Sequence, residues 1–259
     1  GGRGKVVIGF DDGRRSVYEN GFPIMAAAGV PGTVWVITDT IGSEDYKGLP
    51  PLTETQLLEL QAAGWEIGSH TTSHIDLSKI PLEDAIADME ASKAALESIG
   101  IACKSLAYPW GNYTPEVAVA GSEIYEWQRS AYKDPGHNVL YKSDYPDRLP
   151  TIGALSPDNN EEAFAAIDRA IETDSVVILF WHRVAPDGQV GGGSVANLHD
   201  IVDYIVRTGI EPITISEIPR TPKATYVWDG EGATELASEA ANWYRDENGI
   251  ITNDVAPVD

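Results

Sequence analysis

Apolar residues gather into short runs rich in β-formers at 5–10, 33–38, 65–70, 104–108, 128–132, 175–181 and 212–215. Most of these runs are continuous rather than alternating, as expected of strands buried on both faces of a parallel sheet. Stretches of helical period lie between several of them. Leu82, Ala85, Ile86, Met89, Leu96 and Ile99 recur on one face, at i, i+3, i+4 spacing. Phe164, Ile167, Ala170 and Ile171 form a second stripe, and Leu198, Ile201, Val202, Ile205 and Val206 a third. Thr53 with Glu54 opens a further segment, through Ala63, in the manner of a helix start. Strands alternating with helices predict βαβ units. About seven such units predict an α/β fold, a distorted or incomplete (β/α) barrel of about seven parallel strands. Chemistry in that architecture sits at the C-terminal ends of the strands, so polar residues that close apolar runs are the first candidates.

The first run closes as Val6-Val7-Ile8-Gly9-Phe10-Asp11-Asp12-Gly13. Two adjacent carboxylates at a buried strand end repel one another unless a cation or a proton lies between them. Successive strand residues point to opposite faces, so both can reach one pocket only if the backbone turns, which Gly13 favours. One carboxylate can then bind a metal while its neighbour handles a proton. Taken alone, Asp-Gly also suits an ordinary surface turn.

The run Trp65-Glu66-Ile67 leads into Gly68-Ser69-His70-Thr71-Thr72-Ser73-His74, which holds two of only five histidines. Imidazoles four residues apart can face the same way on a tight turn, and neutral imidazole is a common ligand for zinc-like ions. The Ser and Thr residues around them can orient the rings. With the upstream Asp pair, the segment completes an Asp/His/His set. Such a set leaves coordination positions open for water and substrate, which suits catalysis better than a structural role.

Three further segments extend the pattern: Leu106-Ala107-Tyr108-Pro109-Trp110-Gly111, Gln128-Arg129-Ser130-Ala131-Tyr132, and Val176-Val177-Ile178-Leu179-Phe180-Trp181-His182. In order and spacing the chain resembles the polysaccharide deacetylases of carbohydrate esterase family 4, from about Lys5 to Pro219. The resemblance implies metal-assisted hydrolysis of an N- or O-acetyl group on a carbohydrate, on the barrel fold expected above. Asp12, His70 and His74 match the family's metal ligands, Asp11 its catalytic base, and His182 its general acid. The backbone N–H of Trp110 matches the oxyanion donor, and Leu179 and Trp110 are the candidates for the apolar pocket that takes the acetate methyl. One divalent ion is implied, zinc by default, with cobalt, nickel or manganese as alternatives.

Two departures accompany the resemblance. The family often carries an Arg two residues before the Pro of its third motif, paired with the catalytic Asp, and this chain has Ala107 there. Arg129 and Arg148 are the candidates to replace it. The Asp that tunes the catalytic His is not legible, with Asp134 and Asp144 as loop carboxylates that could serve.

Composition narrows the partners. The chain has 259 residues, 42% of them hydrophobic, enough for one catalytic core. A single cysteine, Cys103, excludes an internal disulfide framework and a Cys-based zinc cluster. The net charge is −22, from 18 basic and 40 acidic residues, which argues against nucleic acid and anionic membrane as partners. No apolar run approaches the ~20 residues that span a bilayer. With only eight lysines, the acidity reads as adaptation to high salt, where screening relieves self-repulsion, rather than as a solubility feature alone. No secretory signal is legible, and the sequence begins Gly1-Gly2 without Met, so a processed product or a fragment is expected. Family resemblance places such a protein outside the cell, or at a cell or virion surface.

The polar loops 39–51 and 133–150 could rim a glycan groove, with Tyr46, Tyr113, Tyr132, Tyr141 and Tyr145 as candidate sugar-stacking residues. The Gly-rich stretch 188–194 reads as a loop, and His137 and His199 as solvent-facing. Residues 1–220 are expected to form the catalytic domain. Residues 221–259 form an extension of unknown role, with a short strand at 225–228, an acidic helix over 231–245, and a surface that could contact another protein. Two other functions stay open: an amidase acting on a small cyclic or linear amide, and a glycan-binding surface or virion recognition module on the same barrel that has lost turnover. The presence of both a base and an acid argues against the last.

Overall fold

The structure is a computed structural model that describes residues 4–131, 160–174, 176–186, 193–218, 244–245 and 251–252. Contacts divide the chain into two compact units, Gly1–Ile218 and Pro219–Asp259.

Among the described residues of the first unit, seven parallel strands form one sheet: β1 Lys5–Phe10, β2 Thr33–Val36, β3 Glu66–Ser69, β4 Ser105–Ala107, β5 Trp127–Arg129, β6 Val176–Trp181 and β7 Glu211–Ile213. Each overlaps a predicted apolar run, β5 and β7 starting one residue earlier and ending sooner than the runs 128–132 and 212–215. Their order is β5-β4-β3-β2-β1-β6, with β7 paired to β1. The central strand β1 runs alongside β6 over its whole length, from Lys5↔Val176 to Phe10↔Trp181. Its other edge is shared, β7 pairing with Lys5–Val7 and β2 with Gly9 and Phe10. Among the described residues no pairing joins β5 to β6, so the sheet is an open, incomplete (β/α) barrel.

Both faces of the strands are buried, which is why their apolar runs do not alternate. Val6, Ile8 and Phe10 of β1, and Val177, Leu179 and Trp181 of β6, pack in one core with the apolar faces of the helices. Val7 and Ile178 instead join Trp35, Ala107, Trp127 and Ile213 in a separate core on the other face of the sheet. Trp35 requires glycine beside it. A Cβ at Gly9 would lie 2.5 Å from its ring, and one at Gly68 2.6 Å.

Among the described residues six α-helices flank the strands: α1 Phe22–Ala27, α2 Glu54–Ala62, α3 Leu82–Ser98, α4 Pro115–Ile124, α5 Asn160–Thr173 and α6 Val195–Thr208. Thr53 and Gln56 form a reciprocal capping box at α2, as the Thr-Glu opening suggested. Along α3 the predicted stripe is buried at Ala85, Met89 and Leu96, while Leu82 in the first turn is exposed. Helix α1, with the π-helical turn Val17–Gly21 before it, and α4 lack a marked stripe in sequence. Helix α4 starts at Pro115 behind a Thr114 side-chain cap, the arrangement favoured at helix N-termini.

In the second unit, Tyr244–Arg245 pairs antiparallel with Ile251–Thr252. The helix expected over 231–245 therefore does not reach its last two residues, which are extended. Backbone pairing between strands, invisible to a helical-period reading, decides these positions. The expected strand at 225–228 and the rest of that helix lie outside the described residues.

Candidate active site

Strand β1 delivers the Asp pair. The Asp11 N–H donates to the Trp181 carbonyl at 2.8 Å, extending the β1–β6 ladder by one residue. The chain then turns left-handed, with φ of +69° at both Asp12 and Gly13. That turn, unusual for a residue with a Cβ, lets consecutive carboxylates enter one pocket. Asp12 Oδ1 comes to rest 3.6 Å from His70 Nε2 and 3.6 Å from His74 Nε2. One donor atom from each of the three residues lies within 4.8 Å of the others.

The histidines are held in ligand form. His70 is buried at the end of β3, where its Nδ1 lies 2.7 Å from the Ala107 carbonyl oxygen. Since a carbonyl only accepts, Nδ1 carries the proton, and Nε2 presents its lone pair to Asp12. Burial lowers the His70 pKa despite the nearby Asp11 and Asp12 charges. Burial first, and then the His70 charge, bring His74 down to about 4. Both rings are therefore neutral at pH 7. Asp12 Oδ1 is buried without a hydrogen-bond partner among the described residues, a cost of roughly 1–3 kcal/mol or more for a charged group. An orphaned carboxylate oxygen facing two neutral imidazole nitrogens fits a divalent cation.

The loop after β3 is strained and firmly tied. Thr71 and His74 have φ of +66° and +60°. The Thr71 N–H donates to Ser69 Oγ at 3.1 Å, and the Ile75 N–H donates to Thr71 Oγ1 at 3.2 Å. Asp88 on α3 accepts from the Thr72 N–H at 3.1 Å and from the Thr72 hydroxyl. The loop hydroxyls thus fix backbone, and the bond that orients the His70 ring comes from a main-chain carbonyl.

Asp11 sits beside this cluster, buried, with Arg129 Nη2 donating to its Oδ1. The guanidinium is 1% exposed at its side chain and lies between the rings of Trp35 and Phe180, 4.3 and 4.4 Å from their centroids. Burial pushes the Asp11 pKa up, but the Arg129 guanidinium, by charge and by hydrogen bond, outweighs it with smaller help from the two imidazoles of His70 and His182 as they take up protons, and the net shift is downward. Of the two candidates to pair with Asp11, Arg129 makes the bond, and Arg148 lies outside the described residues. Arg129 is the register partner of Ala107 across β4 and β5, so the guanidinium reaches Asp11 from the neighbouring strand.

His182 directly follows β6 and is half-buried. It stands beside Asp11 because Phe10 and Trp181 are register partners. Trp110 lies in the 3₁₀ turn Pro109–Gly111 at φ +62°. The residue is 63% exposed, and its ring centroid is 4.8 Å from that of His74. Leu179 is not brought to the site: it packs in the core on the helix side of β6. Strand alternation turns its neighbour Phe180 toward Arg129 instead. Tyr46 stacks beneath Arg14 and Lys47, Tyr113 packs on Tyr108, and His199 is exposed. Asp134, Asp144, His137, Tyr132, Tyr141 and Tyr145 lie outside the described residues.

Sequence reasoning missed Arg14 and Asp88. Arg14 is buried, with Nη2 3.5 Å from Asp12 Oδ2 and Nη1 donating to the carbonyls of Tyr46 and Leu49. It ties the 46–49 loop to the carboxylate that faces His70 and His74. Its place two residues after Asp12 was the available signal; Asp88 had none, lying on a helix whose register against the loop is tertiary.

The polysaccharide deacetylase family model matches residues 1–124, which contain Asp11, Asp12, His70, His74 and Trp110. The poly-beta-1,6-N-acetyl-D-glucosamine N-deacetylase of Staphylococcus aureus is 32% identical over 116 residues, 41% of this chain and 40% of that protein. The Bacillus subtilis protein YxkH is 29% identical over 132 residues, 51% of this chain and 45% of its own length. The chain thus matches less than half the length of either relative. The Xyl-CE4 domain of a multidomain xylanase from the hindgut metagenome of Trinervitermes trinervoides shares the fold at a TM-score of 0.57 and 18% identity, covering 83% of this chain and 89% of that one. A family 4 carbohydrate esterase from Streptomyces lividans, in complex with acetate, does so at 0.56 and 13%, covering 85% and 98%.

Proposed function

We propose, from the premise that the chain belongs over residues 1–124 to the polysaccharide deacetylase family, that it is a metal-dependent hydrolase removing acetyl groups from a glycan. The observation that carries this reading is a convergence: Asp12, His70 and His74 meet within 4.8 Å, next to an Asp11 held ionised by Arg129. A metal-binding module needs the first feature and has no use for the second.

Asp12, His70 and His74 would hold one divalent ion, zinc by our reading, with cobalt, nickel or manganese as substitutes. When bound, such an ion polarises an acetyl carbonyl and acidifies water. The remaining steps fall to two side chains, Asp11 and His182, and to the backbone N–H of Trp110. Asp11 Oδ1 is occupied by Arg129, so Oδ2 is the atom that takes the proton from attacking water. The water oxygen bonds to the acetyl carbon, and the Trp110 N–H receives the developing oxyanion. As the bond from that carbon to the sugar nitrogen breaks, protonated His182 donates to the nitrogen, releasing a free amine and acetate. An O-acetyl substrate would follow the same course and release a hydroxyl.

The polymer named for the Staphylococcus aureus relative makes an N-acetylated hexosamine glycan the first substrate to try, and our reading is that the chain works outside the cell or at a cell or virion surface. We assign the chemistry to residues 1–220 and treat 221–259 as a separate extension. The test is acetate release from a panel of N- and O-acetylated glycans, with and without added divalent ion. Asp11→Asn and His182→Ala should each lower release by about 10²–10⁴-fold, the usual worth of acid–base catalysis, and Asp11→Asn should keep its metal. Turnover at the parental rate in both variants would refute the assigned roles.

A further inference from the structure

We infer that Asp76 is a positioning residue that, through Asn112, locks the loop carrying His74 to the loop carrying Trp110. The inference rests on the deacetylase reading above. Asp76 lies two residues past His74, and Asn112 two residues past Trp110. Asn112 Nδ2 donates to Asp76 Oδ2 at 2.8 Å, bridging the loops that follow β3 and β4. The other oxygen, Oδ1, accepts from the Ser78 N–H at 3.1 Å and the Ser78 hydroxyl at 2.6 Å. Lys79 Nζ, 3.1 Å from Oδ2, supplies the countercharge. The carboxylate is thus fixed on its own loop and spends one oxygen on the neighbouring one.

The need for such a lock follows from the backbone. His74 and Trp110 both sit at positive φ, +60° and +62°, conformations that cost about 1–3 kcal/mol each and persist only where surroundings over-determine them. Asp88 holds the front of the first loop at Thr72, while Asp76 holds its back. In the second loop, Asn112 makes a backbone bond to the Pro109 carbonyl at 3.2 Å, closing the turn in which Trp110 lies. A charge-assisted bond from Asp76 to the Asn112 side chain therefore sets the distance between a metal-facing imidazole and the N–H that would receive the oxyanion. The close approach of the His74 and Trp110 rings, 4.8 Å between centroids, is the geometry it preserves.

The test exchanges the partners. Asn112→Asp sets two carboxylates against each other and should open the lock while leaving the Ser78 bonds intact. At saturating metal, kcat for acetate release should fall on the order of 10²-fold, the cost of an ångström-scale misplacement, with KM changing much less. The swapped double variant D76N/N112D rebuilds an amide-to-carboxylate bond and should recover most of the lost rate. Amide hydrogen exchange gives a readout independent of turnover: segments 73–79 and 108–114 should both exchange faster in N112D and return to parental rates in the swap. Parental kcat in N112D, or a loss the swap does not restore, overturns the inference. If the parent itself releases no acetate, the deacetylase reading fails, and exchange alone decides whether the lock exists: unchanged exchange in N112D would refute it.

Discussion

Replacing Arg129 by Met tests how the site keeps a buried carboxylate ionised. The side chains of Arg129 and Asp11 are 1% and 5% exposed. Removing one partner of a buried ion pair strands the other and costs about 3–5 kcal/mol. Loss of the stacking on Trp35 and Phe180 adds to this, and Met recovers part of the packing. At roughly 2–4 °C per kcal/mol for a domain of this size, the melting temperature should drop by about 6–20 °C. Changing both partners, D11N/R129M, removes the stranded charge and should restore a large part of that stability; urea melts of the four proteins give the coupling. Activity follows the same logic. The Asp11 pKa is lowered in the parent, so the pair contributes stability that is present above the unfolded value near ~3.9 and is lost as pH falls through the folded pKa. Without Arg129, burial raises that pKa. The acid limb of the R129M rate profile should therefore move to higher pH, with acetate release at neutral pH down about 10²-fold or more. Adding Ala107→Arg to R129M returns a guanidinium from the register partner on β4 and should recover part of the rate. An R129M protein as stable as the parent, or one no less stable than D11N/R129M, would refute the electrostatic argument.

His70→Ala and His74→Ala should each weaken divalent-ion binding by a factor on the order of 10² or more, read by titration calorimetry on metal-stripped protein; stoichiometric ion at unchanged affinity in the double variant would sink the ligand set. With a net charge of −22, the fold should melt at a substantially higher temperature in molar KCl than in dilute buffer. A variant with surface Asp and Glu changed to Asn and Gln should respond much less, and equal stability of the parent at ~10 mM and ~2 M salt would leave the acidity as a solubility feature.

The strands were legible in the sequence because a segment buried on both faces is mostly apolar, with few polar residues such as Glu66 and Arg129 admitted, and that demand is local. All seven runs became parallel strands, and the residues closing β1, β3 and β6 are those that gather at one end of the sheet. The Asp12, His70, His74 cluster was legible for the same reason: in a parallel barrel every strand's C-terminal end meets the same face, so strand-end donors converge whatever the loops do. Facing and pairing depend on contacts between segments far apart in the chain. A continuous apolar run carries no parity, so nothing in Ile178-Leu179-Phe180 says which residue turns to the helices; the pleat and the β1–β6 register put Leu179 there and Phe180 over Arg129. Arg129 stands 118 positions from Asp11, and its partnership depends on which strand lies beside β4 and in what register. The left-handed backbone at His74 and Trp110 is tertiary as well, since contacts such as Asp88 with Thr72 and Asp76 with Asn112 tie down loops whose conformation these two residue types would not choose alone.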